Sequence, residues 1–321
     1  MTSNLPSAGL PIKLERDRVL GRFDGVEHGP LLIALGAMHG NEPAGVLAIE
    51  RVMEMLHHDR AVKPRFNYRG RFLGLAGNLG AMAQGRRFLR NDLNRHLDPA
   101  YVAKLTNRKN LAHEDLEAVE LCKAVKAEIA SYRPRHVVLV DLHTTTADGG
   151  FFSFIDDEPG SRAIALDLHA PVILGMLDGI SNTTLHYFNS ERLGVPVTAL
   201  AFEAGSHLEP RSVDRAVSAL VNTMRSIGAV HPRDVEDFHS VRLEEDARDL
   251  PPLVRLSYTH RIAPEDRFVM RRGYRNFDRV SKGEELADDV NGPVLSPSDG
   301  LILMPLYQAQ GEDGFFLIEE L

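Results

Sequence analysis

An α/β fold, a mixed sheet covered by helices and followed by a small C-terminal β domain, is what this sequence predicts. Three observations carry that expectation. From Gly29 to about Gly228, short β-branched apolar runs alternate with longer stretches whose apolar residues recur at helical spacing. After about Val230 the texture turns charged and proline-containing, then breaks into short segments punctuated by turn residues. The composition, 43% hydrophobic and 26% charged over 321 residues, is that of a chain able to build a core.

The elements follow in order. Met1–Leu20 carries prolines and charges but no apolar h-region, so no signal peptide is read there. Leu31–Leu35 is a continuous apolar run ending at Gly36, as a buried strand requires. Pro43 stands where a helix can begin, and Val46, Ile49, Val52, Met53 and Leu56 follow on one helical face. Arg71–Ala76 reads as a second strand. Glu114–Ser131 reads as a helix with acids at its start and Leu116, Val119, Ala124, Val125 and Ile129 for packing. His136–Asp141 is a strongly β-branched strand. Val197–Phe202 and Val213–Ile227 complete the series as a strand and a helix. Residues 1–230 are therefore expected to form one domain, 231–252 a linker, and 253–321 a small all-β domain with turns at Asn291-Gly292-Pro293 and Ser298-Asp299-Gly300.

Composition also excludes. The formal charge of −8, from 45 acidic against 37 basic residues, argues against a nucleic-acid partner. Arg86-Arg87 and Arg271-Arg272 lie close to acids and form no basic tract. No run approaches the roughly 20 apolar residues that span a bilayer, so no membrane association and a cytoplasmic location are expected. Cys122 is the only cysteine, which rules out an intrachain disulfide, and its place on a helix's apolar face suggests core.

Four motifs carry chemistry. His39 and Glu42, in Gly36-Ala37-Met38-His39-Gly40-Asn41-Glu42-Pro43, lie on a tight turn between a buried strand and a helix, where an imidazole and a carboxylate can face one point. Asp141-Leu142-His143 closes another buried strand, so His143 projects from a strand's carboxyl end as well. Arg86 through Arg95 concentrates four arginines and two asparagines in ten residues, a cluster suited to an anion. Glu203 ends an apolar strand in Ala199-Leu200-Ala201-Phe202-Glu203-Ala204-Gly205, a costly position for a carboxylate without a partner or a task. Each motif has a structural alternative: a chance pair, a loop hydrogen bond, a solvated face and a salt bridge, respectively. Met38, Phe151, Phe152 and Phe154 suit core more readily than a pocket wall.

The order and spacing of GAMHGNEPAG, NDLNR, VDLHTT and FEAG resemble the succinylglutamate desuccinylase/aspartoacylase family, a branch of the zinc carboxypeptidase superfamily. The resemblance spans roughly residues 30–230 and implies a zinc-carboxypeptidase-like sheet. It implies that His39, Glu42 and His143 hold one zinc ion per chain, which their two imidazoles favour over harder cations. It further implies Glu203 as general acid/base, Asn94 and Arg95 as the grip on a substrate carboxylate, and Arg87, with Arg86 as its rival, as the group that polarises the carbonyl. Asp92 would orient His39 from behind. The residues from Val280 onward look like the lipoyl-like β domain that these enzymes append, here read as a cap on the cleft. Departures bear on the substrate: Arg192 and Tyr187 match the family's further substrate contacts only loosely. Near the chain end Phe315 or Phe316 stands where a tyrosine is sought, with Tyr307 some way off. The expected activity is hydrolysis of an N-acyl amino acid or related small acyl amide carrying a carboxylate. A carboxypeptidase acting on a short peptide, and a metal-binding protein without activity, are the alternatives. Related enzymes often pair, but no segment signals an interface, so a homo-oligomer is left open.

Overall fold

A computed structural model of the chain describes residues 14–235 and 238–321. The reading of Met1–Leu20 as free of a signal peptide falls mostly outside those residues, as do Glu236 and Asp237 of the charged stretch. Strands β1 (Val19–Asp24), β2 (Glu27–Gly36), β3 (Arg69–Ala76), β4 (Val137–Thr145), β5 (Phe152–Ile155), β6 (Val172–Leu174) and β7 (Val197–Ser206) form the first part of the chain. β8 (Leu253–Arg261), β9 (Val269–Met270), β10 (Arg279–Val280), β11 (Glu285–Asp289), β12 (Gly292–Leu295), β13 (Gly300–Leu303) and β14 (Asp313–Glu320) form the second. The main sheet runs β1-β3-β2-β4-β7-β5-β6-β8-β14-β13-β10, and β12-β11-β9 make a separate small sheet. At its centre β3, β2, β4 and β7 are parallel, whereas β5 runs antiparallel to β7, so the sheet is mixed.

Alternation along the strands explains the continuous apolar runs. Successive side chains of a strand face opposite sides. Leu32, Ala34, Val138 and Val140 pack beneath the helices Ala44–Val62 and Arg211–Ser226. Leu31, Ile33, Leu35, Val137 and Leu139 face the other way, toward the helix Glu114–Tyr132. A strand covered on both faces is apolar at every position. Cys122 is buried in the second of these cores. Leu116 departs from expectation: it is 40% exposed, because the helix turns Ala118, Leu121, Cys122 and Val125 inward instead.

The stretch 231–252 is more ordered than a linker. It contains the helix Phe238–Ala247, whose His239 and Leu243, four residues apart, are buried against the helix Arg211–Ser226. His239 Nδ1 lies 3.0 Å from Ser218 Oγ, and Asp246 accepts from Arg215 at 2.7 Å. Only two positions of this short helix point inward, so its charge masks its period. Beyond it, β8 pairs in parallel with β6 and antiparallel with β14, which carries the main sheet into the C-terminal part. That part has its own core of Met270, Val280, Leu286, Ala287, Ile302, Phe315 and Leu317.

Candidate metal centre and active site

β2, β4 and β7 are parallel neighbours, so the segments at their carboxyl ends share one edge of the sheet. After β2 the chain turns sharply: Ala37 has a φ of 55°, and Glu42 N donates to His39 O at 3.1 Å. Gly40 has no room for a side chain, since a Cβ there would lie 2.2 Å from the Ala81 carbonyl carbon. That close approach lets Gly40 N donate to Arg87 O at 3.1 Å, which stitches the arginine-rich loop beside the His39 turn. The loop is also held from below. Glu114, at the start of its helix, accepts from Leu89, Arg90 and Asn91 N–H groups at 2.6, 3.0 and 3.2 Å.

His39, Glu42 and His143 meet in the interior, each buried. His39 Nδ1 is 2.8 Å from Glu42 Oε1, and His143 Nδ1 is 3.1 Å from Glu42 Oε2. Thr144 N also donates to Oε2, at 3.0 Å. The far nitrogen of each ring is held by an aspartate: His39 Nε2 lies 3.2 Å from Asp92 Oδ1, and His143 Nε2 lies 3.0 Å from Asp141 Oδ2. Asp92 in turn receives Arg87 at 2.9 Å, and Asp141 receives the Thr184 hydroxyl. Burial alone pushes the Glu42 carboxyl up, but the two imidazoles outweigh it and hold the group well below the usual carboxylate range. Asp92 is likewise held low against burial, chiefly by Arg87 and then His39.

These residues fit a metal ion. One ligand atom from each of His39, Glu42 and His143 lies within 4.8 Å of the others, so the group could hold a cation. Two imidazoles and a carboxylate suit zinc, and aspartates on the outer ring nitrogens are the usual support for such ligands.

Glu203 stands beside them. Its Cα is paired with that of His143 across β4 and β7. The residue is only 3% exposed, and its Oε2 makes no hydrogen bond among the described residues. Burial pushes this carboxyl up to about 7, with Glu42 adding to the rise while His143 and His39 oppose it.

The other expected residues separate. Arg87 lines a small cleft of about 40 Å³ at the centre's edge, with its Nη1 3.6 Å from Glu42 Oε1. Arg86, one residue earlier, is exposed and does not line it. Arg95 also lines the cleft, and its Nη2 is paired with Asp313 at 2.8 Å. Asn94 does not line it: its amide lies between His143 Nε2, at 3.3 Å, and Thr184 N, which donates to Oδ1 at 2.9 Å. Arg192 stacks over Tyr187 on a short exposed helix, and neither residue lines the cleft. Tyr307 donates its hydroxyl to the Arg271 and Tyr274 carbonyls, away from the cleft. Phe316 lines the cleft, whereas Phe315 belongs to the C-terminal core. Met38, Phe151, Phe152 and Phe154 are buried in the main cores.

Sequence reading gave no role to several further residues. Asp141 had a usable signal: Asp-x-His on one strand places both side chains on the same face. His207 lines the cleft with Nδ1 2.7 Å from Thr144 Oγ1, and burial lowers its ring's proton affinity. Asp313 and Gln308 lie more than 100 residues beyond the last of the motifs, and only the folded sheet brings them there.

Fold and centre together describe an α/β protein with a buried His–carboxylate–His group at the carboxyl edge of a mixed sheet. The family model for the succinylglutamate desuccinylase/aspartoacylase catalytic domain matches residues 28–227, and the chain belongs to that family. It is 26% identical over 273 residues to a succinylglutamate desuccinylase of Pseudomonas putida, covering 81% of this chain and 73% of that one. A probable aspartoacylase of Nostoc sp. is 30% identical over 117 residues, which are 36% of this chain and 35% of that protein. A succinylglutamate desuccinylase/aspartoacylase crystal structure from Rhodobacter sphaeroides shares the fold, with a TM-score of 0.62 at 17% identity over 92% of this chain and 88% of that one. Among the described residues no helix is long and apolar enough to cross a membrane.

Proposed function

We propose that this chain is a zinc-dependent hydrolase that cleaves the amide bond of an N-acyl amino acid or related small acyl amide, releasing a carboxylic acid and an amino acid. The observation that carries the reading is the buried His39–Glu42–His143 group with the uncommitted carboxyl of Glu203 beside it. When bound there, zinc supplies Lewis acidity toward a carbonyl oxygen and lowers the pKa of water. Glu203, with a proton affinity near neutrality, takes the proton of the attacking water and passes it to the departing amine. Arg87, which reaches both the cleft and the edge of the centre, donates to the oxyanion as it forms. Arg95 is the cleft guanidinium for the substrate's carboxylate. Asn94, buried behind the centre, accepts from the Thr184 backbone in this reading, and Asp92 and Asp141 orient the two rings.

The matched relatives are named as a succinylglutamate desuccinylase and a probable aspartoacylase, and only their reaction class is carried over to this chain. The segment between β13 and β14 supplies Met304, Leu306, Gln308 and Gly311 to the cleft wall and so caps it. A small capped cleft favours a compact acyl amide over a peptide. The test is amine release from a panel of N-acyl amino acids and, alongside it, tripeptides, with the metal content of the purified protein measured. Hydrolysis of acyl amino acids supports the reading. Hydrolysis of tripeptides alone replaces it with a carboxypeptidase, and stoichiometric zinc with no turnover removes the enzyme reading.

A further inference from the structure

The cleft's arginines already have carboxylate partners before any substrate enters. Of its lining residues, Arg87 is paired with Asp92 and Arg95 with Asp313. Burial lowers the proton affinity of the His207 ring. Glu312 adds a carboxylate that makes no ion pair among the described residues.

Asp313 is not a chance neighbour. It opens β14 opposite Arg261 of β8, and the pairing of those strands brings its Oδ1 to 2.5 Å from Arg261 Nη1. Its Oδ2 takes Arg95 Nη2 at 2.8 Å, and the residue is only 8% exposed. Arg95 spends Nη1 on the Asn94 carbonyl at 2.9 Å, and its Nε has no hydrogen-bond partner among the described residues. Arg95, Asp313 and Arg261 therefore form a chain of three charges with one net positive charge, and Glu312 acts on Arg95 from the cleft wall as a further negative charge. One substrate carboxylate offsets the positive charge of that chain, with Glu312 already opposing it. A second finds no unpaired arginine on the cleft wall among the described residues and faces Glu312 instead.

We infer that the cleft accepts an N-acyl amino acid with a single carboxylate and rejects one with two, and that Asp313 and Glu312 are the specificity-determining residues. This rests on the deacylase reading for the bond broken, but the selection itself is a property of binding. It works by repulsion and by prior occupation of the guanidinium, not by an added attraction.

N-acetyl-L-glutamine and N-acetyl-L-glutamate are near-isosteric and differ by one carboxylate, which makes them suitable probes. Their equilibrium binding is measured calorimetrically on the zinc-loaded full chain carrying Glu203→Gln, so that neither is consumed, and at low salt, where charge effects are largest. The glutamine probe is expected to bind at least about tenfold more tightly. Adding Glu312→Gln and Asp313→Asn is expected to bring the two within about threefold. Glu312 is exposed and makes no ion pair among the described residues, so Glu312→Gln alone keeps the fold; it is expected to narrow the ratio by about half on a logarithmic scale.

Equal or tighter binding of the glutamate probe overturns the inference, as does a ratio unmoved by the substitutions or saturable binding of neither probe. Amine release from the unsubstituted chain separates the two readings. Turnover without discrimination keeps the deacylase and removes the specificity; discrimination in binding without turnover does the reverse.

Discussion

Arg86 and Arg87 are chemically identical neighbours with different surroundings. Arg87 sits between Asp92 and the Glu42 carboxylate and lines the cleft, whereas Arg86 is exposed. If Arg87 donates to the oxyanion, Arg87→Ala lowers kcat by about 10²–10³-fold, the usual loss for one such donor. Arg86→Ala leaves kcat and KM near their starting values. Steady-state rates on one acyl amino acid distinguish the pair, and equal losses would remove Arg87 from its role. Asp92 makes a different prediction, because it touches His39 and Arg87 but does not line the cleft. Asp92→Asn keeps the side chain's size and removes its charge. It is expected to weaken zinc binding by about 10–100-fold in a chelator competition, the range for partners of a ligating histidine. Undiminished affinity would make Asp92 a loop residue only.

At the scale of elements, the segments that were legible and those that were not differ physically. The strands β2, β4 and β7 are buried on both faces, so their composition alone announces them, and the ligands stand next to their ends. The short helix Phe238–Ala247 was not legible, because only His239 and Leu243 are inside. That helix carries a pH dependence of its own. Burial, with Arg242 and Arg225 adding to it, lowers His239 from 6.5 to about 4. The unfolded chain takes up this proton near pH 6.5 and the native chain only near 4, so protonation favours unfolding. Stability from this group is complete above pH 6.5 and falls as the pH drops toward 4. His239→Gln is expected to flatten the fall of the denaturant midpoint across that window. An equally steep fall in the variant would place the acid sensitivity elsewhere.

For the whole molecule, the relation between the two parts of the chain matters most. Sequence texture suggested a catalytic domain, a linker and a small β domain, and three of the four motifs that carry the chemistry lie at the strand ends and turns read from residues 30–230. What no local pattern contained is that β8 continues the main sheet beyond β6, and that Asp313 and its neighbours close the cleft from the far end of the chain. Ladder hydrogen bonds and ion pairs such as Arg95–Asp313 cross the expected boundary, and long-range pairing of this kind leaves no trace in spacing or periodicity. A shared sheet has a thermodynamic consequence. Unfolding either part exposes an edge and apolar surface of the other, so heating is expected to give one calorimetric transition, with van't Hoff and calorimetric enthalpies in agreement. Two resolved transitions would show that the parts are independent.

The central claim is that a metal held by His39, Glu42 and His143 works with Glu203 to hydrolyse an acyl amide. Its most direct test is zinc content and amine release measured together on the native chain, Glu203→Gln and His143→Ala. Glu203→Gln is expected to keep its zinc and lose at least about 100-fold in kcat, the lower end for removal of a general acid/base. His143→Ala is expected to lose both. Full turnover by Glu203→Gln, or full zinc and turnover by His143→Ala, would contradict the account.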